Sequence, residues 1–181
     1  MKIEMNIANQ VTIARIAAIP LFLAALYINS GWSNAAATII FTIAGLSDFL
    51  DGYIARKYNM ITDLGKILDP IADKILVAAA MIALVEIGRL DGWIAILMLA
   101  RDFTVGALRD LSASKGVIIA AGIWGKLKTA FQMVSLGMIA FYDVWLGINW
   151  YIVGTVGIYA ALFLSLYSGY VYFRDYFAQG E

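Results

Sequence analysis

The chain has 181 residues, of which 62% are hydrophobic and 14% charged, and thirteen basic and thirteen acidic side chains give a formal net charge of zero. A soluble domain is about 45–50% apolar and roughly 25% charged, so the composition excludes an ordinary soluble fold and fits one domain of apolar helices in a membrane. There is no cysteine or histidine, which excludes disulfides, thiolate and Ser-His-Asp catalysis and Cys/His zinc sites; any metal must sit on oxygen, which favours Mg²⁺, Mn²⁺ or Ca²⁺.

A helix that crosses a membrane needs about 20 mostly apolar residues. Residues 1–8 read as a short amphipathic piece at the surface. The segment over 9–29 runs past signal-peptide length without a basic leader, so it is expected to be retained as a first span. Further spans are predicted over 34–57, 67–88, 92–113, 124–143 and 150–174, an all-α polytopic fold with six transmembrane helices in a single domain over 1–181. Gly31–Ser33, Arg89–Gly92 and Gly147–Asn149 are expected turns on one side. Tyr58–Gly65 and Ser114–Ile123 are expected to be longer connections on the other.

Lys and Arg set the orientation. Lys2, Arg15, Arg56, Lys57, Lys66, Lys74, Arg101, Arg109, Lys115, Lys126, Lys128 and Arg174 fall on the side of the two termini or in helix halves leaning to it, and Arg89 falls opposite. The asymmetry puts both termini in the cytoplasm. Trp32, Trp93, Trp145 and Trp150 gather at the opposite turns, as an interfacial aromatic belt does.

One stretch interrupts the apolar pattern: SDFLDGYIARKYNMITDLGKILDPIADK, Ser47 to Lys74. On a helix, spacings of 3, 4, 7 and 8 share one face. Asp48, Asp51, Gly52, Ala55 and Arg56 have those spacings and close the second span. Gly65, Asp69 and Asp73 open the third at spacings of 4 and 8. Antiparallel neighbours joined by a short loop bring the two stripes face to face. Four carboxylates at low dielectric need cations. Either Arg56, Lys66 and Lys74 pair with them as interfacial ion pairs, or the acids hold divalent metal. Intramembrane charge is expensive and usually functional, and a seam of ion pairs leaves the small residues Gly52 and Ala55 unexplained.

These positions fit D-x2-D-G-x2-A-R-x8-G-x3-D-x3-D without a gap, the signature of the CDP-alcohol phosphotransferases, which the chain resembles over nearly its whole length. The resemblance implies transfer of a phosphatidyl group from a CDP-linked lipid to an alcohol, with CMP leaving and two divalent ions, Mg²⁺ or Mn²⁺, in each site. It implies Asp48, Asp51 and Asp69 as principal ligands, with Asp73 at the second ion and acting as base. Gly52, Ala55 and Gly65 would leave room for the CDP-lipid, Arg56 and Thr62 would contact the nucleotide, and Asn9 and Thr12 resemble further nucleotide contacts. Asn9 and Thr12 read equally as polar residues at a helix entrance. Asp63 reads as a loop acid. A homodimer in a bacterial cell membrane, with the active site on the cytoplasmic side, is also implied.

The acceptor must be read from the other cations. Arg101 and Arg109 share a face at a spacing of 8, and Lys126 and Lys128 open the fifth span. The bland alternative pairs the arginines with Asp102 and Asp110 and assigns Lys115 and Lys128 to lipid headgroups. Arg101 lies about twelve residues, roughly 18 Å of helix, from the cytoplasmic end of its span, a depth at which a cation faces a polar cavity. Arg101, Arg109 and Lys126 are therefore the candidate ligands of a phosphate on the acceptor. A phosphorylated alcohol is favoured over serine, choline or ethanolamine, whose amines would be repelled.

Ala100–Asp110, Gly125–Met133 and NIANQVTIARI are similar to segments of the bacterial phosphatidylglycerophosphate synthases within the family, which implies sn-glycerol 3-phosphate as acceptor and CDP-diacylglycerol as donor. Ala8 stands where many members have Pro, and Asp110 where many have Glu. Inositol phosphate and phosphatidylglycerol are the alternative acceptors. A divalent-cation transporter is the alternative from another class, and Arg56, Arg101 and Arg109 count against it because they would repel the permeating ion.

Overall fold

The computed structural model describes residues 7–57, 63–114 and 122–178, with the side chains of 7–8, 48–57, 63–67, 69–70 and 113 outside the described set. Residues 1–6, Thr62 and the centres of the two longer connections also lie outside it. The described chain is all-α apart from one small hairpin. Six helices follow in order: α1 Ile7–Ile28, α2 Gly31–Lys57, α3 Asp63–Glu86, α4 Gly92–Ser114, α5 Ile123–Phe141 and α6 Trp150–Ala178. Between α5 and α6, β1 (Val144–Trp145) pairs antiparallel with β2 (Ile148–Asn149).

Helix α1 packs on α2 and α3, α5 packs on α2 and α6, and α4 packs mainly on α6. The core they share is apolar, with Phe22, Phe41, Leu76, Met81, Met98 and Ile139 all fully buried. Large apolar side chains also cover the outside, among them Leu21, Ile43, Ile82, Ile96 and Phe163. Among the described residues, two helices, over Asn9–Ile28 and Trp150–Ala178, are long and apolar enough to cross a membrane. The others carry the polar stripes that the sequence assigns to the site.

Helix ends differ from the sequence expectation where local hydrogen bonding extends a helix. The expected turn at Gly31–Ser33 is the first turn of α2, because Ser33 Oγ accepts from the Ser30 amide at 2.9 Å and donates to the Ser30 carbonyl at 3.0 Å. Helix α3 starts at Asp63 rather than near residue 67, so Asp63 is the first residue of a helix and not a loop acid. An acidic residue there is favoured by the helix dipole.

Helix α3 ends in a Schellman motif. Gly88 takes φ 71°, its amide donates to Val85 O at 3.0 Å, and the Arg89 amide donates to Leu84 O at 2.8 Å. Arg89, the cation opposite to the rest, is buried. It donates to Ala140 O at 2.9 Å and Asn34 Oδ1 at 3.1 Å, bonds Asn29, and stacks 4.0 Å over the Tyr142 ring. One guanidinium thus ties together the ends of α1, α2, α3 and α5.

Candidate active site

The first half of α1 turns a polar stripe inward. Asn9, Thr12 and Arg15 are buried on the same face as Ile19, Phe22 and Leu26. The Arg15 Nε donates to Ser47 Oγ at 3.2 Å, and Ser47 Oγ donates to Ala44 O at 2.8 Å. Ser47 immediately precedes Asp48, so α1 is fixed to α2 where the signature begins. Arg15 was legible as a site neighbour from its spacing of 3 from Thr12, yet the sequence reading used it only for orientation. Asn9 and Thr12 do not line the large cavity described below.

Asp48, Asp51, Gly52, Ala55 and Arg56 lie in the last part of α2, and Gly65 and Asp69 in the first part of α3. Their side chains lie outside the described set, as does Thr62 altogether. Helices α2 and α3 touch. Asp73, one turn beyond Asp69, is half-buried and lines the cavity.

That cavity measures about 1500 Å³ and is walled by α2 to α6. It brings Asp73 together with Arg101, Arg109 and Lys126. Lys74, which the sequence offers only as an ion-pair partner of the acids, joins them. Gly106 makes room for it, since a Cβ there would stand 2.7 Å from the Lys74 Nζ. Toward the far end of α5 the walls become apolar, with Phe141, Trp145 and Trp150.

On α4, Arg101 is held by three bonds. Its Nε donates to Ser165 O at 3.0 Å, Nη1 to Asp102 Oδ1 at 3.1 Å and Nη2 to Ser168 Oγ at 2.7 Å. The ion pair between Arg101 and Asp102 is thus present, within a wall of the cavity. Arg109, two turns on, is exposed to the cavity and lies 5.8 Å over the Tyr172 ring. Tyr172 is itself buried, and its hydroxyl has no hydrogen-bond partner among the described residues.

Lys126 and Lys128 differ in a way the sequence reading missed. Lys126 is exposed at the mouth of the cavity, while Lys128 is 4% exposed and donates to both oxygens of Asp102, at 2.6 and 2.5 Å. Lys128 therefore does not reach for lipid headgroups. It shares the inward face of α5 with Gln132 and Ser135, both buried, at spacings of 4 and 7. Tyr172, Asp102 and Lys128 are thus among the polar residues of the cavity wall that motif spacing alone did not select.

Comparisons with known proteins bear on this arrangement. The family model described as CDP-alcohol phosphatidyltransferase matches residues 5–167. A CDP-diacylglycerol–glycerol-3-phosphate 3-phosphatidyltransferase from Rickettsia bellii is 41% identical over 175 residues, 96% of this chain and 97% of the relative. One of the same name from Bacillus subtilis is 34% identical over 180 residues, 93% of each. A probable phosphatidylglycerophosphate synthase from Mycobacterium tuberculosis is 42% identical over 137 residues, 74% of this chain and 65% of the relative.

Proposed function

The chain belongs to the CDP-alcohol phosphatidyltransferase family, and we propose from that premise that it transfers the phosphatidyl group of CDP-diacylglycerol to sn-glycerol 3-phosphate, giving phosphatidylglycerophosphate and CMP. The observation that carries the choice of acceptor is the set of cations on α4 and α5: Arg101, Arg109, Lys126 and Lys128 line the same cavity as Asp73, with Asp102 paired to Arg101 and Lys128 and with Asp110 and Asp175 also in the lining. Cations so placed attract a phosphate dianion and repel an amine. They also oppose the passage of a metal ion, which counts against the transporter alternative. The names of the relatives favour glycerol 3-phosphate over inositol phosphate or phosphatidylglycerol.

Asp48, Asp51, Asp69 and Asp73 form an all-oxygen donor set on two touching helices, which suits hard divalent cations such as Mg²⁺ or Mn²⁺. The family generally uses divalent ions. In this proposal the first three acids are the principal ligands of two ions and Asp73 belongs to the second. When bound, the ions neutralise the pyrophosphate of the donor and stabilise charge developing on its oxygens.

The side chains supply the rest. Gly52, Ala55 and Gly65 admit the CDP-lipid, Arg56 and Thr62 contact its nucleotide, and Asn9 and Thr12 add polar contacts. Arg101, Arg109 and Lys126 hold the acceptor phosphate, with the Tyr172 hydroxyl, unpartnered among the described residues, as a further donor. The acceptor hydroxyl oxygen attacks the phosphorus that carries the diacylglycerol. The bond from that phosphorus to the bridging oxygen breaks, and CMP leaves with the electron pair. Asp73 accepts the proton of the attacking hydroxyl. The apolar walls toward Phe141 and Trp150 suit acyl chains and keep water out.

The proposal includes a single domain over 1–181, with all six helices crossing a bacterial cell membrane. Both termini and the site face the cytoplasm, and the protein works as a homodimer. The Lys/Arg asymmetry supports the orientation, and the apolar outer surface supports the membrane placement.

Purified protein given CDP-diacylglycerol, sn-glycerol 3-phosphate and Mg²⁺ or Mn²⁺ should form CMP and phosphatidylglycerophosphate in equal amounts. Chelating the metal should stop both. CMP release that persists without glycerol 3-phosphate would identify a hydrolase and refute the transfer.

A further inference from the structure

One carboxylate in the cavity wall serves two cations from two helices. Asp102 on α4 accepts from the Lys128 Nζ of α5 through both oxygens, at 2.6 and 2.5 Å, and from the Arg101 Nη1 at 3.1 Å. The remaining bonds of Arg101 go to Ser165 and Ser168 of α6. Helix α4 packs mainly on α6, and α5 on α2 and α6, so the Asp102–Lys128 pair spans a part of the cavity that helix packing leaves open.

We propose that Asp102 is a positioning residue for the acceptor, holding the Lys128 ammonium and the Arg101 guanidinium at the place where the acceptor's phosphate binds. The proposal rests on the reading of this cavity as the acceptor-phosphate site.

The physical reason lies in the two cations themselves. A Lys ammonium sits on a flexible four-carbon stem and is strongly hydrated. At 4% exposure, Lys128 has lost its water, and such a charge stays in place only with a counter-ion. Arg101 is anchored to α6 whether or not Asp102 is charged. Lys128 has Asp102 as its hydrogen-bonded anionic partner among the described residues. Neutralising Asp102 would leave two like charges side by side and turn Lys128 away from the site. Asp102 touches no reacting atom in this scheme, so its effect belongs to acceptor affinity and not to the proton transfer at Asp73.

The test compares Asp102→Asn, Asp102→Glu, Lys128→Met, the Asp102→Asn/Lys128→Met double variant and Arg109→Ala in steady-state assays that vary each substrate separately. Asp102→Asn should raise the KM for glycerol 3-phosphate about tenfold or more and leave that for CDP-diacylglycerol within about twofold. Asp102→Glu should recover most of the loss. The double variant should be no worse than Lys128→Met, because both changes remove the same correctly placed ammonium.

Equal effects of Asp102→Asn on both substrates, no effect, or multiplied losses in the double variant would overturn the proposal. Should Asp102→Asn fail to fold, Lys128→Met decides, and an unchanged acceptor KM there overturns it. An unchanged acceptor KM in Arg109→Ala would sink the acceptor-site reading itself. A raised KM in Arg109→Ala beside an unaffected Asp102→Asn would sink the Asp102 role alone.

Discussion

Asp73 and Arg109 line one cavity but carry different work, and each can be removed separately. Asp73→Asn preserves the side chain's size while removing its basicity. Turnover should fall about 10²–10⁴-fold, while CDP affinity measured by titration calorimetry stays close to that of the unaltered protein. Near-normal turnover would remove Asp73 as the base. Arg109→Ala removes a cation that reaches into the cavity without a salt bridge among the described residues. Its KM for glycerol 3-phosphate should rise about tenfold or more, with little change for CDP-diacylglycerol, as steady-state kinetics with each substrate varied will read. The sequence singles out both residues because charge is rare in an apolar helix. It was less telling for the two lysines of α5, since both are charged and two residues apart. Only the companions Gln132 and Ser135 mark Lys128 as the inward one, and that pattern is weak beside the motif of Asp48 to Asp73. Tyr172 gave no signal at all, because an aromatic residue on an apolar helix reads as packing until its hydroxyl is seen to lack a partner among the described residues.

The helices were legible as elements, with ends displaced by a few residues where capping bonds decide. The hairpin was not. Its strands are two residues each, and its turn is Leu146–Gly147 with φ 57° and 76°. Two left-handed residues suit a tight hairpin turn, but Leu in place of Asn or Asp hides the signal. Close approach of α5 and α6 was likewise invisible, because small residues in apolar helices have many uses. A Cβ at Gly154 would lie 2.9 Å from both the Ser135 carbonyl oxygen and the Met138 Cβ. Backbone cannot move aside as a flexible side chain can, so Gly154→Ala should destabilise the bundle by about 1–3 kcal/mol. A lowered thermal midpoint in detergent would show it, and an unchanged midpoint would mean that the helices slide apart freely. At the other helix ends, Arg89→Met should cost a similar amount. It leaves Asn29, Asn34 and the Ala140 carbonyl short of a donor, while activity of the folded fraction persists.

For the molecule as a whole, the charge asymmetry and the apolar exterior make a topology that labelling can check. The absence of native cysteine allows single reporters. In sealed inside-out and right-side-out vesicles, Gly122→Cys should react with a charged thiol reagent only from the cytoplasmic face, and Leu146→Cys only from the opposite face. Reaction of both from one face would break the six-span proposal. The acid signature, by contrast, stands on spacing and family membership, because three of its four carboxylates lie outside the described side chains. The set of cations on α4 and α5 joins that signature to a particular reaction. Its most direct measurement is CMP release by the purified protein from CDP-diacylglycerol, with glycerol 3-phosphate, inositol phosphate, phosphatidylglycerol and serine offered one at a time. Release with glycerol 3-phosphate, and none above background with serine or the others, is the predicted result; no release with glycerol 3-phosphate alongside release with another acceptor would contradict it.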